Sequence, residues 1–159
     1  MPSARPIEST RDELIVDIDY AAELNYRHRK LYQLLRLVFG FAFIASGSTV
    51  LATLQLGTGT QVGLSVVVTV LGILSVMIDP GSKAEQHHQL RQRYLALRKE
   101  VAGLEASEIE SRLQDLYADS LYVVRSLELP AWNSNLCRHG REDALRPLTR
   151  FQRLMGWLT

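Results

Sequence analysis

Between Leu37 and Ile78 the chain carries no Asp, Glu, Lys, Arg or His. An uncharged run of that length is foreign to a soluble core, whose helices keep one polar face. Cysteine is almost missing as well. Cys137 is alone, which excludes an intrachain disulfide and agrees with a reducing compartment. There is no excess of positive charge, since 18 Lys and Arg face 17 Asp and Glu. Nucleic acid, which selects strongly basic surfaces, is therefore not an expected partner. No small-residue cleavage site follows a short apolar core, and neither end carries a lipidation pattern, so the expectation is neither a secretory leader nor a lipid anchor.

The residues that carry chemistry are also thin. Gly57-Thr58-Gly59-Thr60 lacks the Gly and Lys that complete a phosphate loop. His87 and His88 are adjacent, so on a helix they point about 100° apart and do not share a metal. Cys137-x-His139 has no second pair at zinc spacing. Nothing sets a nucleophile beside a base. The expectation is a protein that is not an enzyme, with no catalytic residue, no metal and no cofactor.

What is present is apolar length. A membrane-crossing helix needs about 20 mostly apolar residues, and Leu37–Leu56 and Val62–Ile78 each approach that. They are read as the two spans of a transmembrane hairpin, turning at Gly57–Gln61, where Gly accepts positive φ. Arg27, Arg29, Lys30 and Arg36 precede the first span. Such basic flanks stay in the cytoplasm, so both termini are expected there, with a multi-pass location in the inner (cell) membrane. Ala42, Ala45, Ser46, Thr49 and Thr53 share one helix face, as do Ser65, Thr69, Gly72 and Ser75. Small and hydroxyl residues let helices approach closely in lipid. These faces are expected to pack span on span or copy on copy, or to line a water path after assembly. No charged ring occurs within the run, so no charge-based filter is expected.

The flanks read as helices, and the fold class is all-α. Three parts are expected: 1–36, a tail and basic helix; 37–79, the hairpin; and 80–159, a cytosolic helical bundle. The first helix is expected after Ser9 or Thr10, with Leu14, Ile18 and Ala22 in its apolar stripe. Ser82 and Glu85, then Ser107 and Glu110, have the spacing of capping boxes for two further helices. Leu90, Tyr94, Leu97, Val101, Leu113, Leu116 and Tyr117 are expected in the bundle core. Pro130 is expected to end the second of these helices. Leu145, Leu148, Phe151, Leu154, Met155 and Leu158 form a last amphipathic pattern, with Arg146, Arg150 and Arg153 opposite. It suits either an anionic leaflet or a dock on the other helices.

Two segments bear a resemblance. His88-x-Leu90-x3-Tyr94-x2-Leu97-x2-Glu100 is followed by Leu129-Pro130-Ala131-Trp132-Asn133-x2-Leu136-Cys137. With the basic helix and hairpin before them, they resemble the SLATT family of bacterial two-transmembrane effectors, over about residues 20–155. The resemblance implies an effector that oligomerises into a pore, depolarises the cell and halts infection. It also implies a nucleotide-signalling or nucleotide-sensing partner. A lone hairpin has no lumen, so a pore would require a homo-oligomer in the lipid bilayer. Two other classes fit the residues: a membrane-anchored scaffold or sensor adaptor without a pore, and a soluble helical protein with a buried hairpin.

Overall fold

A computed structural model describes residues 10–47 and 58–159. All regular structure in these residues is helical. The main elements are α1 (Arg11–Gly47), α2 (Thr58–Ile78), α3 (Pro80–Glu100), α4 (Ala106–Ala118), α5 (Arg125–Arg138) and α6 (Arg150–Leu158).

α1 is 37 residues long, or about 55 Å at 1.5 Å per residue. Thr10 caps it: Glu13 N donates to Thr10 Oγ1 and Thr10 N donates to Glu13 Oε2 at 2.9 Å. These reciprocal bonds satisfy N–H groups that the first turn leaves orphaned. The helix then runs through Arg36 and Leu37 without a break. The sequence boundary between polar and apolar parts therefore falls inside one rod.

The polar half of α1 contributes Leu14, Ile18, Ala21 and Ala22 to the main core. α3 and the 3₁₀ turn after it contribute Leu90, Tyr94, Leu97 and Val101, and α4 contributes Ile109, Leu113 and Leu116. Each set recurs at three- or four-residue steps, so each helix turns a single stripe inward. Tyr117 sits at the rim, 38% exposed, with its ring 6.4 Å from that of Tyr94. α5 adds Leu127, Ala131 and Leu136, all buried.

Several sequence expectations are corrected. The N-cap of α3 is Asp79 and not Ser82; Asp79 Oδ1 accepts from Ser82 N at 3.2 Å. Pro80 takes the first helical position, where its missing N–H costs nothing. Asp79 adopts φ 43°, a left-handed conformation that Asp tolerates better than most residues. α4 starts after Glu105, without a side-chain cap, so Ser107 lies inside it. The expected long helix up to Pro130 is two helices, because α4 stops at Ala118 and residues 119–124 cross to α5. Pro130 lies inside α5, in its second turn. Asn133 closes the next loop by pairing with Arg146 in both directions, donating to its carbonyl at 2.7 Å and accepting from its N–H at 3.1 Å.

α2 begins at Thr58 rather than near Val62 and is 21 residues long. Phe43 of α1 lies across Gly72, so a Cβ at Gly72 would stand 3.4 Å from the Phe43 ring. The apolar ends of α1 and α2 are thus neighbours. The turn expected between the two spans lies largely outside the described residues, as do Thr49, Thr53 and the side chain of Ser46. Among the described residues, one helix is long and apolar enough to cross a membrane.

Candidate functional site

The apolar halves of the molecule stand on a junction between α1 and α3. Asn25, His28 and Tyr32 of α1 are spaced i, i+3, i+7 and so share one face. His87 of α3 enters between them. Its ring stacks on His28 at 4.7 Å and on Tyr32 at 5.6 Å between centroids. Asn25, His28, Tyr32 and His87 are all buried.

Hydrogen bonds fix the proton positions. His28 Nδ1 lies 2.8 Å from the Leu24 carbonyl, which only accepts, so Nδ1 carries the proton. Val124 N–H donates to His28 Nε2 at 2.8 Å, so Nε2 is bare. His87 Nδ1 lies 2.8 Å from Asn25 Oδ1 and donates to it, while Asn25 Nδ2 donates to the Ala21 carbonyl at 2.9 Å. The two rings are therefore neutral donors with assigned tautomers. His28 has both nitrogens engaged, which leaves it no capacity as a general base. Its role is to tie the start of α5, through Val124, to α1.

Burial holds His28 below the ordinary imidazole range, against the opposing pull of the Leu24 hydrogen bond and Glu128. Burial pushes His87 down to about 4, helped by the repulsion that a protonated His28 would exert and by the Lys83 charge. A free histidine near 6.5 thus binds its proton at a higher pH than the folded one. Stability is complete above about pH 6.5 and is lost as pH falls toward about 4. For His87 alone the loss by about pH 5 is on the order of 1–2 kcal/mol. Urea unfolding followed at neutral pH and near pH 5 is expected to show this drop in midpoint, and His87→Gln is expected to flatten it. A wild-type midpoint independent of pH would remove this account of the junction.

A cavity of about 150 Å³ opens beside the rings, lined by Tyr20, Leu24, Asn25, His28, Leu90 and Tyr94 among others. Burial pushes the Tyr94 and Tyr117 phenols up to about 12, so both are neutral donors at physiological pH. Beyond the cavity, α1 carries two bracketed carboxylates. Glu23 is buried and binds Arg27 and Arg138, each at 3.0 Å. Asp19 binds Arg98 at 3.2 Å and His139 at 3.1 Å. Only the Glu23–Arg27 pair has both side chains largely buried, and removing one partner from such a pair costs more than the pair itself contributes. Arg11 reaches over to the Val101 carbonyl.

The expected basic flank is divided. Arg27 is not a free cation: besides Glu23 it donates to the Gly156 carbonyl at 3.1 Å. Lys30 and Arg91 both approach the Tyr26 ring, at 4.8 and 5.1 Å. Arg29 is half-buried and Arg36 exposed. On the expected span faces, Ala45, Ser65 and Thr69 are exposed, and Ala42, Gly72 and Ser75 are half-buried. Thr69 Oγ1 donates back to the Ser65 carbonyl at 2.8 Å, a bond that satisfies a hydroxyl without water. No group of three potential metal ligands occurs among the described residues.

Sequence reasoning missed Asn25, His87 and Val124. The spacing Asn25-x2-His28-x3-Tyr32 on α1 is visible in the sequence, but its partner stands on another helix. Compared with known proteins, the chain matches no family model, no curated protein and no solved structure.

Proposed function

We propose that this chain is an inner-membrane effector, in which the apolar halves of α1 and α2 form a transmembrane hairpin and copies of the hairpin assemble into a pore. The observation that carries the reading is the exposure of α2. It is uncharged, and none of its membrane-length apolar window is buried. Val62, Val66, Ile73, Val76 and Met77 face outward on several sides, Met77 at 76%. A helix apolar all round belongs in a bilayer or a large core, and the described residues leave most of its surface bare. Leu37, Phe41 and Ile44 extend the same surface onto α1. Depolarisation in response to a nucleotide-signalling partner rests on the SLATT resemblance alone.

Reconstituted protein should release dye from liposomes, and its expression should collapse membrane potential. Intact potential in cells holding the assembled, triggered protein would sink the pore. Thr69 is exposed and its hydroxyl donates within α2 to the Ser65 carbonyl, so Thr69→Leu spares the Phe43–Gly72 contact. It is expected to reduce the cross-linked oligomer while leaving the protein in the membrane. A wild-type ladder would show that this face is not where copies meet. One observation favours a tether without a pore: no charge lies between Leu37 and Ile78, so a lumen would be lined only by hydroxyls. A closed ring with those hydroxyls inward supports the pore, and a dimer without a lumen supports the tether.

A further inference from the structure

α6 is held to the rest of the molecule by one face and leaves the other bare. Thr149 starts it with a complete capping box: Gln152 N donates to Thr149 Oγ1 at 3.2 Å, and Thr149 N donates to Gln152 Oε1 at 3.0 Å. Met155 and Thr159 are buried. Gly156 lies so close to Pro130 that a Cβ would come within 3.3 Å of it. The Gly156 carbonyl accepts from Arg27, which Glu23 holds in turn. The helix is therefore fixed to α1 and α5 before anything else binds it.

Opposite that contact, Phe151 is 60% and Trp157 81% exposed, with Leu154 and Leu158 exposed beside them. At about 100° per residue, these four share one arc of about 160° with Arg150 and Arg153, which corrects the expectation that the two arginines lie on the opposite side. α6 has no acidic residue. Beyond Arg138, which Glu23 holds, the chain has Arg141, Arg146, Arg150 and Arg153 against Glu142 and Asp143, so four positive charges face two negative and the segment is +2 in a chain whose total is +1. Apolar and aromatic groups interleaved with arginine, beside a net positive segment, complement an anionic surface whose interior is apolar. Arg also grips phosphate with a planar fork that Lys lacks.

The position fits such a surface. α6 meets α1 at Arg27, ten residues before Leu37, where the exposed apolar surface begins. Ten residues are about 15 Å of helix, or about 14 Å of depth at a tilt of about 20°. A helix radius of about 5–6 Å with side chains and a headgroup layer of about 5–8 Å span most of that distance.

We infer that α6 is an interfacial anchor for an anionic leaflet, seating Phe151, Leu154, Trp157 and Leu158 among the upper acyl chains while Arg150 and Arg153 bind headgroup phosphates. The inference rests on the membrane reading given above. It also joins the two uses expected of this segment, because one face docks on the protein and the other on lipid.

The test uses the full chain with Trp132→Phe, which leaves Trp157 as its one indole. The protein is reconstituted into vesicles of phosphatidylcholine alone or mixed with phosphatidylglycerol. Lipids brominated near the headgroup serve as quenchers. The expected result is blue-shifted, quenched Trp157 emission in the mixed vesicles and weaker quenching without phosphatidylglycerol. Arg150→Glu with Arg153→Glu should abolish the difference. Emission typical of water in both vesicles, from protein that resists carbonate extraction, would overturn the anchor and leave the membrane reading standing. A blue shift without quenching that grows with protein density would also overturn it, by placing a second copy on this face. Release of the protein by carbonate would overturn both.

Discussion

Val67→Arg is expected to move most of the chain out of the carbonate-resistant membrane fraction. Val67 stands near the middle of α2 and is 54% exposed. An arginine at the centre of a spanning helix costs about 2.5–3.5 kcal/mol on insertion scales, roughly a hundredfold in a partition equilibrium. The substitution separates two worlds because its sign depends on the solvent. In water, a charge on an exposed helix face changes stability by only about 0.5 kcal/mol and improves solubility. In lipid it opposes insertion. Wild-type retention in the membrane with unchanged carbonate resistance would remove the basis for reading α2 as a span.

Tyr94→Ala is expected to destabilise the helical core by about 3–5 kcal/mol, the range for deleting a large buried ring. Tyr94 is 1% exposed and belongs to the cluster in which α1, α3 and α4 meet. It also borders the cavity below the histidine stack, so its loss enlarges a void already present. Urea-dependent proteolysis of membrane-reconstituted protein would measure the effect as earlier cleavage within residues 80–159. Tyr94→Phe keeps the ring and is expected to stay within about 1 kcal/mol of wild type. Equal resistance of Tyr94→Ala and wild type would mean that the three helices are held together elsewhere.

The parts of this fold that could be read from the sequence are those written within a single helix. Leu14, Ile18 and Ala22, and Leu90, Tyr94 and Leu97, announce their buried faces by spacing, and tertiary packing preserves it. Features that depend on a competition between neighbours were harder to read. Asp79 and Ser82 are both good caps, and Pro80 decides for Asp79 by occupying the first helical position. Leu121, Val123 and Val124 continue an apolar pattern, yet the chain leaves the helix there and Val124 spends its N–H on His28. Pro130 reads as a terminator but sits in a second turn, where Gly156 covers it. The histidine stack had no sequence signature, since periodicity says which face is special and not which other face it meets.

The two apolar helices are joined to the polar part by unlike mechanical elements. α1 passes from core to apolar surface as one rod, its hydrogen-bond ladder unbroken from Arg11 to Gly47. A few degrees of tilt at Glu23 or His28 therefore become about 1–3 Å of sideways travel at Ile44, some 16 residues beyond His28 and about 24 Å along the axis. α2 meets α3 through Asp79, whose backbone is left-handed. Its N–H still donates to the Ser75 carbonyl at 3.1 Å and its carbonyl accepts from Lys83 N at 3.2 Å. The Pro80 that follows has no N–H to give, and Ser82 N bonds the Asp79 side chain. The described residues thus pair a continuous rod with a bent junction, and the Phe43–Gly72 contact is where a tilt of α1 against α2 would be felt first.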